Sequence, residues 1–273
     1  MPRSHDVKKC GQLYDEPRAP REDDVKQFFV FAVAWVFLAP MVIAGSSSED
    51  TIATGRGPLT IHPVEHATFV MKWNGTTIAV DPIGGEEPYM AFGKADLILI
   101  THIHGDHLSV DTVKGLADTS TVIVAPASVA EKFSVDDRGR ITVVGNGESV
   151  KWGESVIEAI PMYNLTTDRQ AFHPKGRGNG YVVTLGGTRI YIAGDTEDIP
   201  EMRALEDIGA AFVCMNLPYT MDVAAAADAV LEFKPQVVFP YHYRGKGGMS
   251  DLDEFRSLVA NDPSIEVRVL EWY

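Results

Sequence analysis

The chain has 273 residues, 45% of them hydrophobic, and a formal net charge of −14 at pH 7. This length and composition are those of an ordinary globular protein with a sizeable core. The acidic balance argues against nucleic acid as a partner, because phosphate backbones attract basic surfaces. Cys10 and Cys214 lie far apart in the sequence, so a structural disulfide is not expected.

Residues 1–50 are interpreted as an N-terminal leader with a signal peptide or membrane anchor. Phe28 to Ala39 form an uninterrupted apolar stretch, which Pro40 ends, and small residues follow from Ala44. This order is typical of a secretory signal and favours export to the periplasm or the extracellular space. The residues before the stretch are balanced in charge rather than basic. A membrane attachment through residues 28–45 and a mispredicted start codon of a cytoplasmic protein therefore stay open.

Residues 51–273 are predicted to form one domain of strands and helices. Short apolar runs between turn signals predict strands near 59–63, 67–72, 76–81, 96–101, 121–125, 141–144, 148–151, 154–160, 211–215, 236–240 and 266–271. A hairpin at 180–194 is expected to turn at Gly186-Gly187, where glycine permits positive φ. Helices are expected near 109–117, 127–133, 198–207, 222–233 and 251–260.

Four side chains able to bind a metal follow the predicted strand 96–101. They are His102, His104, Asp106 and His107, within six residues. Neutral imidazoles and carboxylates are good ligands for zinc and related divalent ions. The buried strand would present them at its carboxyl end, where Gly105 permits a tight turn. The pattern predicts a metal-dependent enzyme.

The motif His102-x-His104-x-Asp106-His107 resembles the signature of the metallo-β-lactamase superfamily. The resemblance implies an α/β fold, a four-layer αββα sandwich, with a dinuclear metal site between its two sheets. It covers about residues 59–273 and extends to three further strand-end residues, which are Asp81, Asp195 and His242. Asp195 corresponds to the bridging carboxylate and His242 to the late ligand. Asp81 is expected to orient a ligand, or else to be a turn residue before Pro82.

One ligand of the superfamily pattern is absent from its usual place. Tyr163 and Asn164 stand where a histidine is expected, and His173 follows in the next loop. The segments around His173 and Asp195 resemble the branch related to ascorbate-6-phosphate lactonase, in which this histidine is often absent from that position. Either His173 or Asn164, the weaker ligand, would then complete the shell.

The resemblance and the ligand types together imply two divalent metal ions. One would be held by His102, His104 and either His173 or Asn164, the other by Asp106, His107 and His242, with Asp195 between them. Zn²⁺ is expected, because the di-iron relatives tend to carry Glu at the position of His104; Mn²⁺ and Fe²⁺ are also compatible with these ligands. A metal-bound hydroxide would cleave a lactone, ester, amide or phosphoester.

Asp106 and His66 are the predicted catalytic residues. His66 precedes a strand expected near the cleft and would bind substrate or transfer a proton, although a structural role at a strand edge is an alternative. Four cations in Gly-rich segments could bind an anionic small molecule or could be solvated loop charges: Lys175, Arg177, Arg244 and Lys246. Two other functions stay open: a di-iron or mononuclear-iron oxidoreductase of the same superfamily, and a non-catalytic metal-binding protein.

Overall fold

A computed structural model of the chain describes residues 48–273. The predicted signal or anchor at residues 28–45 lies outside this range. Within the described range, no helix has the length and apolar character needed to cross a membrane.

The first half of the described chain forms a seven-stranded sheet whose strands lie in sequence order. Its strands are β1 (Asp50–Thr54), β2 (Gly57–Glu65), β3 (Thr68–Trp73), β4 (Thr76–Val80), β5 (Leu97–Leu99), β6 (Val122–Ala125) and β7 (Ile141–Val143). Pairing is antiparallel from β1 to β4 and parallel from β4 to β7. The parallel strands therefore end at one common edge.

The second half forms another seven-stranded sheet, in the order β16-β13-β12-β11-β10-β9-β8. The strands of this half are β8 (Ser149–Trp152), β9 (Ser155–Met162), β10 (Gly178–Leu185), β11 (Thr188–Ile192), β12 (Ile208–Cys214), β13 (Val237–Tyr241), the hairpin strands β14 (Arg244–Gly245) and β15 (Gly248–Met249), and β16 (Glu266–Val267). From β11 through β12 and β13 to β16 the pairing is parallel. This sheet also has an edge at which several strands end together.

The helices cover the outer faces of the two sheets. They are α1 (Val110–Leu116), α2 (Ala127–Ala130), α3 (Val135–Arg138), α4 (Pro200–Arg203), α5 (Val223–Phe233) and α6 (Leu252–Val259), with a 3₁₀ turn at Glu87–Tyr89. Ile98 of the first sheet packs in one cluster with Val113 of α1. Between the sheets, the rings of Phe69 and Phe212 stack 4.3 Å apart. The predicted α/β four-layer sandwich is confirmed.

Most predicted elements are present, with differences where the chain turns. Gly186 and Gly187 have φ of 56° and 86°, as predicted for the β10–β11 turn. Of the helix expected at 198–207 only α4 is present, which ends at Arg203, and the chain turns at Asp207 with φ of 56° before β12. Strand β1 was not predicted, and the strand expected at 266–271 pairs only over β16.

Candidate metal centre

The edges at which the parallel strands end carry the predicted metal ligands. The motif at residues 102–107 follows β5, Asp195 follows β11 and His242 follows β13, while His173 lies in the loop between β9 and β10. Three groups have ligand atoms within 4.8 Å of one another: His102, His104 and His173; His102, His107 and Asp195; and His66, Asp106 and His242. Both sheets therefore contribute to one cluster.

Asp195 occupies the middle of this cluster. Its Oδ1 lies 3.3 Å from Nε2 of His107 and 3.2 Å from Nε2 of His242. Its Oδ2 lies 3.3 Å from Nε2 of His173. The preceding Gly194 has φ of 64°, and a Cβ there would lie 2.6 Å from Sδ of Met162. Glycine is thus required for the turn that delivers this carboxylate.

The carboxylate of Asp81 accepts hydrogen bonds that orient His107 directly and His102 through Thr101. Its Oδ2 lies 2.7 Å from Nδ1 of His107 and accepts the hydroxyl of Thr101 at 2.6 Å. Because that hydroxyl donates to Asp81, it accepts from Nδ1 of His102, 3.0 Å away. In their neutral form both imidazoles therefore carry the proton on Nδ1, which leaves Nε2 free to bind a metal.

His173 is oriented in the same way by the loop around it. Its Nδ1 lies 3.2 Å from the carbonyl oxygen of Tyr219 and donates to it, which leaves Nε2 free. The amide nitrogen of Asn164 donates to that same carbonyl at 2.7 Å and to the carbonyl of Arg169 at 2.9 Å. Asn164 thus supports the loop beside His173 through its amide nitrogen.

Burial disfavours the protonated forms of His102 and His104, whereas for His107 the carboxylates of Asp195 and Asp81 outweigh burial and raise the pKa well above its usual range. Burial lowers the pKa of His102 well below its usual range, and the neighbouring His107 lowers it further. Burial, with the charge of His173, lowers the pKa of His104 to about 4. Burial alone would raise the pKa of Asp195, but the surrounding imidazoles hold it well below its usual range. Neutral imidazoles around an ionised carboxylate are the protonation states that metal binding needs.

Several polar atoms in the cluster are buried without a hydrogen-bond partner. They are Nε2 of His107, Nε2 of His173 and Oδ1 of Asp195. Each such atom costs about 1–3 kcal/mol when it stays unsatisfied. Nitrogen and oxygen atoms that converge in a buried place without a hydrogen-bond partner fit a divalent cation, so the residues present fit the metal that the motif predicts.

Three non-glycine residues at the cluster have left-handed backbones. The φ angles are 59° for His66, 45° for Asp81 and 46° for His242. His242 donates its backbone N–H to the carbonyl of His66 at 3.2 Å, and their rings lie 3.9 Å apart. Such strain costs about 1–3 kcal/mol per residue and is concentrated at functional sites.

The predicted catalytic residues face each other at the edge of the cluster. Nε2 of His66 lies 3.4 Å from Oδ2 of Asp106, and Nδ1 of His66 lies 2.9 Å from the hydroxyl of Tyr273. Burial alone would raise the pKa of Asp106, but the hydrogen bond with His66 brings it below its usual range. His62 lies outside the three groups of possible ligands, with its Nδ1 3.3 Å from the carboxylate of Glu49.

A pocket of about 230 Å³ opens onto the cluster. It is lined by His104, Asp106, Phe172, His173, Asp195, Asn216 and Tyr219. Sequence reasoning missed Phe172, Asn216 and Tyr219. Asn216 follows the end of β12, the kind of position that identified the ligands, so this signal was available. A larger groove of about 450 Å³ beside Leu217 is lined by none of the clustered histidines.

Comparison with known proteins agrees with this geometry. A family model described as the beta-lactamase superfamily domain matches residues 60–242, a range that includes the motif, His173, Asp195 and His242. The chain belongs to the metallo-β-lactamase superfamily. Within the superfamily it is a metal-dependent hydrolase of the UPF0173 family, as its relatives indicate.

The UPF0173 metal-dependent hydrolase of Pyrococcus furiosus is 31% identical over 212 residues, which cover 74% of this chain and 92% of that protein. A crystal structure of a proposed metal-dependent hydrolase from Parabacteroides distasonis is 40% identical, with a TM-score of 0.74 over 82% of this chain and 99% of that chain. The metallo hydrolase Igni18 of Ignicoccus hospitalis is 25% identical, with a TM-score of 0.65 over 78% of this chain and 95% of that chain.

Proposed function

We propose that this metal-dependent hydrolase uses two divalent ions, in the first place Zn²⁺, to activate water for cleavage of a lactone, ester, amide or phosphoester. The observation that carries the proposal is the position of Asp195. Its two carboxylate oxygens face different imidazoles, Oδ1 facing His107 and His242 and Oδ2 facing His173. A carboxylate placed in this way is suited to bridging two ions.

One ligand set is a group of side chains named above, and the other combines members of the remaining two groups. His102, His104 and His173 would hold one ion, while Asp106, His107 and His242 would hold the other, with Asp195 shared. When bound, two divalent ions lower the pKa of water towards neutrality and polarise the oxygen of the bond to be cleaved.

Asp106 and His66 are the proposed catalytic side chains. The side chain of Asp106 is 45% exposed and lines the pocket, so its carboxylate can orient the attacking water. Burial raises the pKa of Tyr273, which keeps its hydroxyl protonated and able to donate to Nδ1 of His66. Nε2 of His66 then carries a proton towards Asp106 and can supply it to the leaving group.

The pocket favours a small organic substrate. Its volume of about 230 Å³ and its aromatic side chains Phe172 and Tyr219 suit a compact molecule with an apolar part. We place lactones first, because the segments around His173 and Asp195 resemble the lactonase-related branch.

Metal analysis and an activity screen test this proposal. The full chain, purified without added chelator, is expected to hold about two equivalents of zinc and to hydrolyse at least one member of a lactone, ester, amide and phosphodiester panel. His242→Ala should lose metal and activity, whereas His62→Ala, outside the cluster, should keep both. Less than one equivalent of any transition metal would overturn the dinuclear assignment. Bound iron with thiol-dependent oxygen consumption would favour the oxidoreductase instead.

Export is also part of the proposal and rests on the apolar stretch at residues 28–45. Sequencing the N-terminus of the protein secreted by its native host should give a start near Gly45. A chain that keeps Met1 and stays in the cytoplasm would overturn it.

A further inference from the structure

Arg177 brings a positive charge to the rim of the metal pocket. Its Nη2 lies 3.2 Å from Nε2 of His104 and also donates to the carbonyl of Phe172. Both partners line the pocket. Arg177 is half-buried, and burial lowers the pKa of its guanidinium, but an arginine side chain still stays charged in proteins.

Arg177 differs from the other three cations that the sequence offered as anion ligands. Lys175 pairs with Glu201 at 2.7 Å, and the guanidinium of Arg244 lies 4.5 Å over the ring of Tyr273. Lys246 is exposed in the β14–β15 hairpin. Over residues 48–273, no carboxylate lies within ion-pair distance of Arg177. A half-buried cation without a counter-charge is costly unless a ligand supplies one.

Once a metal is bound, Nε2 of His104 can no longer accept a hydrogen bond from Nη2 of Arg177. Nδ1 of His104 lies 3.0 Å from Nε2 of His102 and is therefore the atom that faces the metal cluster. With Nδ1 on a metal, the neutral ring of His104 carries its proton on Nε2. Two donors then face each other across 3.2 Å, and an anionic oxygen placed between them would accept from both.

We infer that Arg177 and Nε2 of His104 form an anion subsite, so that the substrate of this enzyme is a small organic acid or phosphate. The inference rests on the proposed function, because it uses the same pocket and the same metal ligands. Beside this subsite, the rings of Phe172 and Tyr219 meet edge to face 5.2 Å apart. The substrate would thus place its anionic group on Arg177 and an apolar part against Phe172.

Calorimetric binding of phenylacetate to the zinc-loaded full chain tests the subsite. Phenylacetamide is the uncharged control ligand, and phenyl phosphate tests whether phosphate is accepted as well as carboxylate. Arg177→Met removes the charge, and Lys175→Met removes a charge from the same loop. We expect Arg177→Met to weaken phenylacetate binding about 10- to 100-fold, the usual effect of losing a hydrogen bond to a charged group. Lys175→Met should change it less than about threefold.

Metal content is measured first in every variant, so that a failure of the proposed function is seen before any ligand is added. If zinc binds in full but Arg177→Met leaves phenylacetate binding unchanged, the anion sits on the metal or elsewhere and the subsite is wrong. Equal losses in Arg177→Met and Lys175→Met would mean general electrostatic attraction and would also overturn it. Equal binding of phenylacetamide and phenylacetate by the wild type would show that the charge is not recognised.

Discussion

The carboxylate of Asp81 lies 2.7 Å from Nδ1 of His107, and both side chains are fully buried. Asp81→Asn should keep the left-handed backbone, because asparagine tolerates positive φ, but should lose the charge that orients this imidazole. Metal affinity is expected to fall about 10- to 100-fold, as for other residues that support metal ligands. Competition with a chromophoric chelator measures it. Asp96→Asn is the control, because the carboxylate of Asp96 lies outside the cluster and accepts the backbone N–H of Thr77. This substitution should leave metal affinity unchanged. Equal effects of the two substitutions would contradict this role for Asp81.

Asp195→Asn removes the charge that faces both halves of the cluster. Because His107, His173 and His242 all converge on this carboxylate, the variant should hold at most one equivalent of metal and lose activity. Elemental analysis after dialysis counts the ions. Asp198→Asn is the matched control, because the carboxylate of Asp198 lies outside the cluster and pairs with Arg203 at 2.5 Å. Retention of two ions by Asp195→Asn would exclude a bridging role.

Glu197 holds the loop that carries His173. Its buried carboxylate lies 2.9 Å from Nη1 of Arg169 and accepts the backbone N–H groups of Leu165 and Thr166 at 2.7 Å each. Glu197→Gln leaves these donors poorly satisfied, so the free energy of unfolding should fall by about 1–3 kcal/mol.

The same variant should weaken binding of the ion assigned to His102, His104 and His173 more than binding of the other ion. Stepwise metal titration and urea denaturation measure the two effects. Glu201→Gln, which breaks the exposed pair with Lys175, should cost no more than about 1 kcal/mol. Equal weakening of both ions would mean that Glu197 acts on stability alone.

The metal-free protein should lose stability as the pH falls from about 6.5 to about 4. Burial lowers the pKa of His104 to about 4 from its ordinary 6.5, and it also lowers the pKa of His102 well below its usual range. In this window the unfolded chain binds protons that the folded chain excludes, so acid favours unfolding.

His107 does not oppose this effect. Burial would lower its pKa, but Asp195 and Asp81 raise it well above 6.5, so its contribution is constant below pH 6.5 and is lost only at higher pH. Thermal unfolding of chelator-treated protein measures the slope, which His104→Asn should reduce and His62→Asn should not. A Tm that is constant from pH 7 to pH 4.5 would contradict the expectation.

The parts of this protein that were predictable from sequence are those governed by short-range patterns. The apolar run before His102 predicted a buried strand because a sheet covered on both faces needs one, and Gly186-Gly187 predicted its turn because both residues need positive φ. Asp195 and His242 were found through the resemblance to the metallo-β-lactamase superfamily, which extends to these two strand-end residues.

The loop between β9 and β10 was less predictable, since no periodic pattern marks it. The place of His173 depends on Glu197 and Tyr219, which are distant in the sequence and contact the loop only in the folded chain. The choice of Arg177 among four loop cations likewise needed the pairing of Lys175 with Glu201. Sequence identified these side chains as candidates but could not rank them.

Each sheet is built from one continuous half of the described chain, and the turn between β7 and β8 is the connection from one to the other. On the proposed ligand set, the first half contributes residues 102–107 and the second contributes His173, Asp195 and His242. Each half of the described chain would therefore supply only part of the ligands of the ions. If the chain were cut between β7 and β8, metal binding would add to the hydrophobic packing between the sheets and strengthen the association of the two fragments.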